Sequence, residues 1–193
     1  MTNKLQLTLN MQGIVIFDPA SLNRFVKEKG IVTLDLVTYF YENEPVGEEV
    51  ISQGIIIPIY PIPDIDYTIY INNKDSDKPI ISEEWKIFET ERLFPLQVSS
   101  GKLVVSDIES IIYWDPNFYM DYDFFQENRS SSSDAIKLKN GYYGVNIVGF
   151  CEPNKGYSAE CGYLLELQEK ETLPIFDFSK SIDQYNFRVD PLR

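Results

Sequence analysis

The chain contains no histidine. That single absence removes the usual general base at neutral pH, the commonest metal ligand and the ordinary pH switch. Ser–His and Cys–His nucleophilic machinery, zinc hydrolase sites and His-based nucleases go with it. Cysteine is almost as scarce, with Cys151 and Cys161 alone. Lacking a base, neither is expected to be a nucleophile; both read as small buried hydrophobes in the reduced state, with a disulfide as the alternative. No apolar run approaches the roughly 18 residues of a membrane span. The N-terminus alternates apolar and polar residues and lacks the continuous apolar stretch of a signal peptide. The expectation is a cytoplasmic protein with no membrane attachment. Glycine-rich phosphate loops and dinucleotide fingerprints are missing as well, so no cofactor, metal or catalytic residue is assigned.

Basic residues are the next deficit. Lys and Arg number 17 against 30 Asp and Glu, a net charge of −13. Nucleic acid, itself a polyanion, is disfavoured as a ligand, and a basic protein partner is favoured. The plainer alternative is that the acidity only keeps the chain soluble. Carboxylates working alone could serve a hydrolase, but no spacing selects a pair from so many acids.

What is present is enough for a core. Apolar residues make up 44% and aromatics 14% of 193 residues, which suits one domain over 1–193 that folds without staples. Residues 4–17 read as a strand bent at Gly13. Asp18-Pro19 then opens a helix over 19–29, with Leu22, Phe25 and Val26 at helical spacing and Gly30 as its stop. The β-branched and aromatic stretch 31–42, then 50–60 and 67–71, read as strands, with Pro61 and Pro63 marking an edge or a crossing between sheets. Ser82–Phe88 fits either a short helix or an irregular strand. Segments 93–98 and 102–107 flank Ser99-Ser100-Gly101, which has a hairpin's turn chemistry. Residues 129–133 have a loop's composition, 142–150 and 162–168 form a last strand pair, and the tail from Thr172 is irregular. The sum is a mainly β chain, an antiparallel β-sandwich with one or two short helices, or alternatively an α+β fold.

Residues 73–84 carry oxygen-bearing side chains at the first, third and fifth places and Glu84 at the twelfth, as a calcium loop would. Lys78 stands where such a loop needs its turn-making Gly, so a plain charged turn is the reading.

The most informative stretch is 113–127, with seven aromatics, four carboxylates and no Lys or Arg. Aromatic anchors give contact area at small entropic cost, and carboxylates steer and pair Arg or Lys. The candidate partner-binding residues are therefore Tyr113, Trp114, Asp115, Tyr119, Asp121, Tyr122, Asp123 and Glu127. Two alternatives stay open. The aromatics could fill the core while the acids face water, or Trp114, Tyr119 and Tyr122 could form a stacking platform for a sugar or other ligand. Glu44, Glu48 and Glu49, with Glu42, make a second acidic cluster at an expected hairpin tip. It joins the candidate site if it lies beside 113–127, and is otherwise a solvated loop.

The run Val98-Ser-Ser-Gly-Lys-Leu-Val-Val-Ser-Asp107, then Asn140-Gly-Tyr-Tyr-Gly-Val-Asn-Ile-Val-Gly149 and Gly162-Tyr-Leu-Leu-Glu-Leu167, resembles small bacterial β-sandwich proteins. These include competence-protein-J-like nuclease inhibitors and several toxin immunity proteins. The resemblance covers about the last half of the chain. It implies a cytoplasmic inhibitor of a secreted or injected bacterial toxin, most plausibly a nuclease, and carries over no individual site residue. Nothing in the sequence sets the oligomeric state.

Overall fold

The computed structural model describes residues 3–73, 81–121, 131–178 and 182–191, with the backbone alone at Asp183. The chain is mainly β, with two sheets and several helices. The first sheet runs β1 (Asn3–Thr8), β4 (Asp66–Asn72), β10 (Cys161–Lys170) and β9 (Gly141–Cys151). Both β5 (Lys86–Glu89) and β6 (Phe94–Val98) lie along the far edge of β9. The second sheet is β3 (Ile56–Ile59), β2 (Ile14–Phe17), β7 (Lys102–Asp107) and β8 (Ser133–Lys137). Every pair is antiparallel except β4 with β10, which is parallel. That one ladder corrects the expectation of a wholly antiparallel fold.

The helix count is also higher than expected, at five among the described residues: α1 (Pro19–Glu28), α2 (Leu36–Glu42), α3 (Glu44–Ser52), α4 (Glu109–Ile112) and α5 (Pro116–Met120). Helix α1 is as the sequence reads, with Pro19 in the first turn, Asp18 as cap, and Leu22, Phe25 and Val26 buried. Residues 36–42 are not a strand. Asp35 accepts hydrogen bonds from the Thr38 amide (3.0 Å) and hydroxyl (2.7 Å), and Leu36 and Phe40, four apart, are both buried. A cap and a helical burial stripe outweigh the β preference of Val37, Thr38 and Tyr39. The expected turn at 42–47 and the start of the strand at 50–60 are also helix, because Pro45 suits a first turn and Val50 and Ile51 face inward. Gly47 lets the two helices meet: a Cβ there would lie 2.6 Å from the Phe40 carbonyl oxygen.

Two further expectations change. The strand read over 4–17 is two strands in different sheets, and the link between them is held by Asp107, whose carboxylate accepts the amides of Asn10 and Met11. Residues 93–107 are no hairpin either, since β6 pairs with β9 and β7 with β2 and β8. Ser99-Ser100-Gly101 carries the chain from one sheet to the other. Ser82–Phe88 is both of its readings in turn, a 3-10 turn at Glu83–Trp85 followed by β5. The last pair, β9 with β10, stands as expected, and the tail buries Phe176, Phe187 and Val189 against Phe94 and its neighbours. Residues 74–80 of the calcium-like stretch lie outside the described residues. Cys151 and Cys161 occupy directly opposed places in the β9–β10 ladder, Cα 4.0 Å apart, and form a disulfide. The reduced pair expected from a reducing compartment is corrected on that pairing. No helix among the described residues is long and apolar enough to cross a membrane.

Asp18 fastens the crossing between sheets. It is fully buried and accepts five hydrogen bonds: from the Ser21 amide (2.8 Å), the Ser99 amide (3.1 Å) and hydroxyl (3.2 Å), and the Ser100 amide (2.8 Å) and hydroxyl (2.7 Å). Asn is ordinarily as good a helix cap as Asp, but here it would turn an NH2 group towards backbone donors. Asp18→Asn is expected to lower stability by about 2 kcal/mol or more, read from urea unfolding; a change below about 0.5 kcal/mol would show that the carboxylate is not needed.

Tyr67 and Tyr163 sit ring to ring in the core (centroids 5.4 Å apart), donating to the carbonyls of Pro63 and Phe187 at 2.8 Å each. Burial holds both phenols above their ordinary value of 10.0. The unfolded chain releases these protons near pH 10 while the folded chain keeps them, so their stabilisation is complete below that pH and declines as pH rises beyond it. In an alkaline titration the two phenols should ionise only as the fold is lost. Phenolate absorbance from every tyrosine while near-ultraviolet dichroism stays native would refute this.

Candidate partner-binding face

Strand β7 ends at Asp107, whose carboxylate, 1% exposed, fixes the course of the chain into α4. Besides the amides of Asn10 and Met11 (3.0 Å to the latter), it accepts the Glu109 amide at 2.8 Å, at the first turn of α4. Asp115 caps α5, its Oδ1 accepting the amides of Asn117 (3.0 Å) and Phe118 (3.4 Å), with Pro116 at the first helical position. Asp107 thus meets the first amide of α4, and Asp115 caps α5.

The aromatics divide. Trp114 and Tyr119 turn inward, stacked on each other (centroids 5.6 Å apart, planes 6° apart), and both meet the Phe17 ring edge-on at 5.7 and 5.4 Å. They belong to the core, which corrects their placement on a partner-facing surface and removes them from a stacking platform. Tyr113, 70% exposed, and Phe118, 50% exposed, turn outward with Met120. Asp115 and Asp121 are exposed beside them. Tyr122, Asp123 and Glu127 lie outside the described residues. Exposed Leu34 adjoins this face, because its carbonyl accepts the Trp114 amide at 3.0 Å, and α2, which carries exposed Tyr41, packs against α4.

The second acidic cluster is on α3 and not at a hairpin tip. Glu44 and Glu48 are exposed. Glu49 is not free, being held by Lys29 Nζ (2.5 Å) and Gln53 Nε2 (2.7 Å). Helix α3 packs on α2 and α2 on α4, so one helix separates this cluster from Tyr113–Asp121. Between Lys102 and Arg129 the chain has no basic residue, and Lys102 itself donates to the Met120 carbonyl (2.5 Å).

Beneath α4 and α5 is a cleft of about 310 Å³ that sequence reasoning missed. Its walls carry Asp107, Glu109 and Asp115 together with a group of hydroxyls. Ser106 and Ser133 are hydrogen-bonded to each other, and the Tyr119 phenol lies among the hydroxyls of Ser133, Ser110 and Ser106. Burial pushes that phenol up, so it is a neutral donor at pH 7. Ser110 Oγ is buried with no hydrogen-bond partner. Serines scattered over residues 106–133 leave no periodic mark in a sequence; the pairing of β7 with β8 brings Ser106 and Ser133 together, and α4 carries Ser110. Among the described residues no group of three or more His, Cys, Asp or Glu is placed to hold a metal ion.

No family model matches the chain, and no curated protein matches it. Among solved structures it is similar to ComJ, inhibitor of the DNA degrading activity of NucA, from Bacillus subtilis, with a TM-score of 0.41 and 12% identity over 87% of this chain and 96% of that one. It is also similar to the crocagin biosynthetic gene J product, with a TM-score of 0.45 and 11% identity over 88% and 97% of the two chains.

The division of the aromatics has a direct test. Tyr119→Ala should cost about 3–5 kcal/mol, as for a large core aromatic, whereas Tyr113→Ala should stay within about 0.5 kcal/mol. Equal losses in chemical denaturation would contradict the inward and outward assignment.

Proposed function

We propose that this chain is a single-domain inhibitor of the immunity type, acting in the cytoplasm, that binds and neutralises a basic bacterial toxin, a nuclease above all. The observation that carries the reading is the face around α4 and α5. Exposed Tyr113, Phe118 and Leu34 stand among Asp115 and Asp121, with no basic residue between Lys102 and Arg129. Large apolar side chains ringed by acids give desolvated contact at the centre and charge attraction at the rim. The net charge of −13 adds a long-range field that speeds encounter with a cation-rich surface. Glu44 and Glu48 on α3 extend that field. ComJ is described as a nuclease inhibitor; the proposal for this chain rests on its own surface and not on that likeness. A ligand-stacking module is less well supported, since Trp114 and Tyr119 are buried.

The test pairs the purified chain with a basic nuclease toxin from its host. Stoichiometric loss of nuclease activity is expected. The association rate should fall by about tenfold or more as ionic strength rises from about 0.01 M to about 1 M, over which the Debye length contracts from about 30 to about 3 Å. Asp121→Lys combined with Glu48→Lys should slow association without changing the melting temperature. An association rate indifferent to salt and to both reversals, or undiminished nuclease activity, would defeat the reading.

A further inference from the structure

We propose that the cleft beneath α4 and α5 is a socket for the guanidinium group of an arginine side chain on the partner. The partner's class rests on the inhibitor reading; the socket is read from the cleft itself.

Acceptors without donors come first. Glu109 Oε2 is bonded by Asn10 Nδ2 (3.0 Å), and Asp115 Oδ1 by two α5 amides. Their other oxygens, Glu109 Oε1 and Asp115 Oδ2, accept no hydrogen bond among the described residues, and neither carboxylate has a Lys or Arg partner there. Asp107 differs, since both of its oxygens are already bonded to backbone amides. Among the described residues the cleft therefore holds three carboxylates and two acceptor oxygens that receive no hydrogen bond, and no basic residue lines its walls.

The second observation is independent of the acids. Ser110 is 8% exposed and lines the cleft near the Tyr119 phenol, yet among the described residues its hydroxyl has no hydrogen-bond partner. A buried polar group left in this state is rare and calls for an explanation. A donor entering from outside would supply one. The third is the rim, where Tyr113 and Phe118 offer exposed rings. A guanidinium is planar and weakly hydrated, stacks on aromatic faces, and presents a fork of donors that suits several acceptors at once. An ammonium is a strongly hydrated point charge with no plane to stack. The combination selects arginine over lysine.

The experiment titrates the isotope-labelled chain with methylguanidinium, and in parallel with methylammonium at matched ionic strength, following backbone amide resonances. Saturable shifts at Ser110, Tyr113 and Phe118 are expected with methylguanidinium, with a dissociation constant on the order of 10 mM and binding of methylammonium about tenfold weaker. Glu109→Gln should weaken methylguanidinium about tenfold, while Glu171→Gln, an exposed carboxylate elsewhere, should change nothing. Should Glu109→Gln lose the native spectrum, Phe118→Ala serves in its place, with a several-fold loss expected. Shifts that never saturate, equal response to the two cations, or binding untouched by the cleft variants would overturn the socket. Because the probes need no partner, a socket that fills while no toxin is inhibited would overturn the inhibitor reading alone. A toxin bound by a chain whose cleft ignores guanidinium would overturn the socket alone.

Discussion

The carboxylate of Asp18 is where the two sheets are held to one another. It comes directly after β2 in the second sheet, starts α1, and takes up the polar groups of Ser99 and Ser100 where the chain leaves β6 in the first sheet for β7 in the second. A buried charge is tolerable only when its acceptor sites are met, and five donors meet these. The constraint runs both ways. The serines need an anion to satisfy amides that no ladder can reach, and the anion needs the serines to be buried at all. Everything that depends on β7, including α4, α5 and the cleft beneath them, inherits its position from that crossing.

The same device recurs at Asp107 and Asp115, where carboxylates satisfy backbone amides at the starts of short helices. Acidic residues in this chain therefore do two kinds of work. Some are internal acceptors that replace missing secondary-structure bonds, and Glu49 is tied to a lysine. Others, such as Glu44, Glu48 and Asp121, face solvent. A net charge read from composition does not show how the acids divide between these two kinds. Among the exposed acids, Asp121 lies beside exposed Tyr113 and Phe118, while Glu44 and Glu48 lie one helix away on α3.

The sequence made some of this legible. Asp18-Pro19 followed by Leu22, Phe25 and Val26 announces α1, because cap and burial stripe are both local. The apolar runs of β9 and β10 are equally plain, and part of the aromatic and acidic stretch 113–127 forms α5. What failed depended on distant partners. Residues 36–42 have a strand's composition, and the Asp35 cap together with the burial of Leu36 and Phe40 makes them helical. Ser99-Ser100-Gly101 has a hairpin's chemistry, but which sheet the next strand joins is decided by β2 and β8. Trp114 and Phe118 are both large aromatics, and only the fold separates them, with Trp114 buried against Phe17 and Phe118 exposed. Ser106, Ser110 and Ser133 drew no notice because nothing local marks a hydroxyl cluster.

Strand β10 is the last strand in chain order and yet sits inside the first sheet, between β4 and β9. On a ribosome, β4 emerges about ninety residues before the strand that will lie against it, by the numbering of the chain. Through that interval β4 presents, on the side away from β1, a bare row of amide and carbonyl groups, the kind of edge that recruits strands from neighbouring polypeptides, whereas β9 is complete only about ten residues before β10 begins. The nascent chain carries that edge uncovered until residues 161–170 have been delivered.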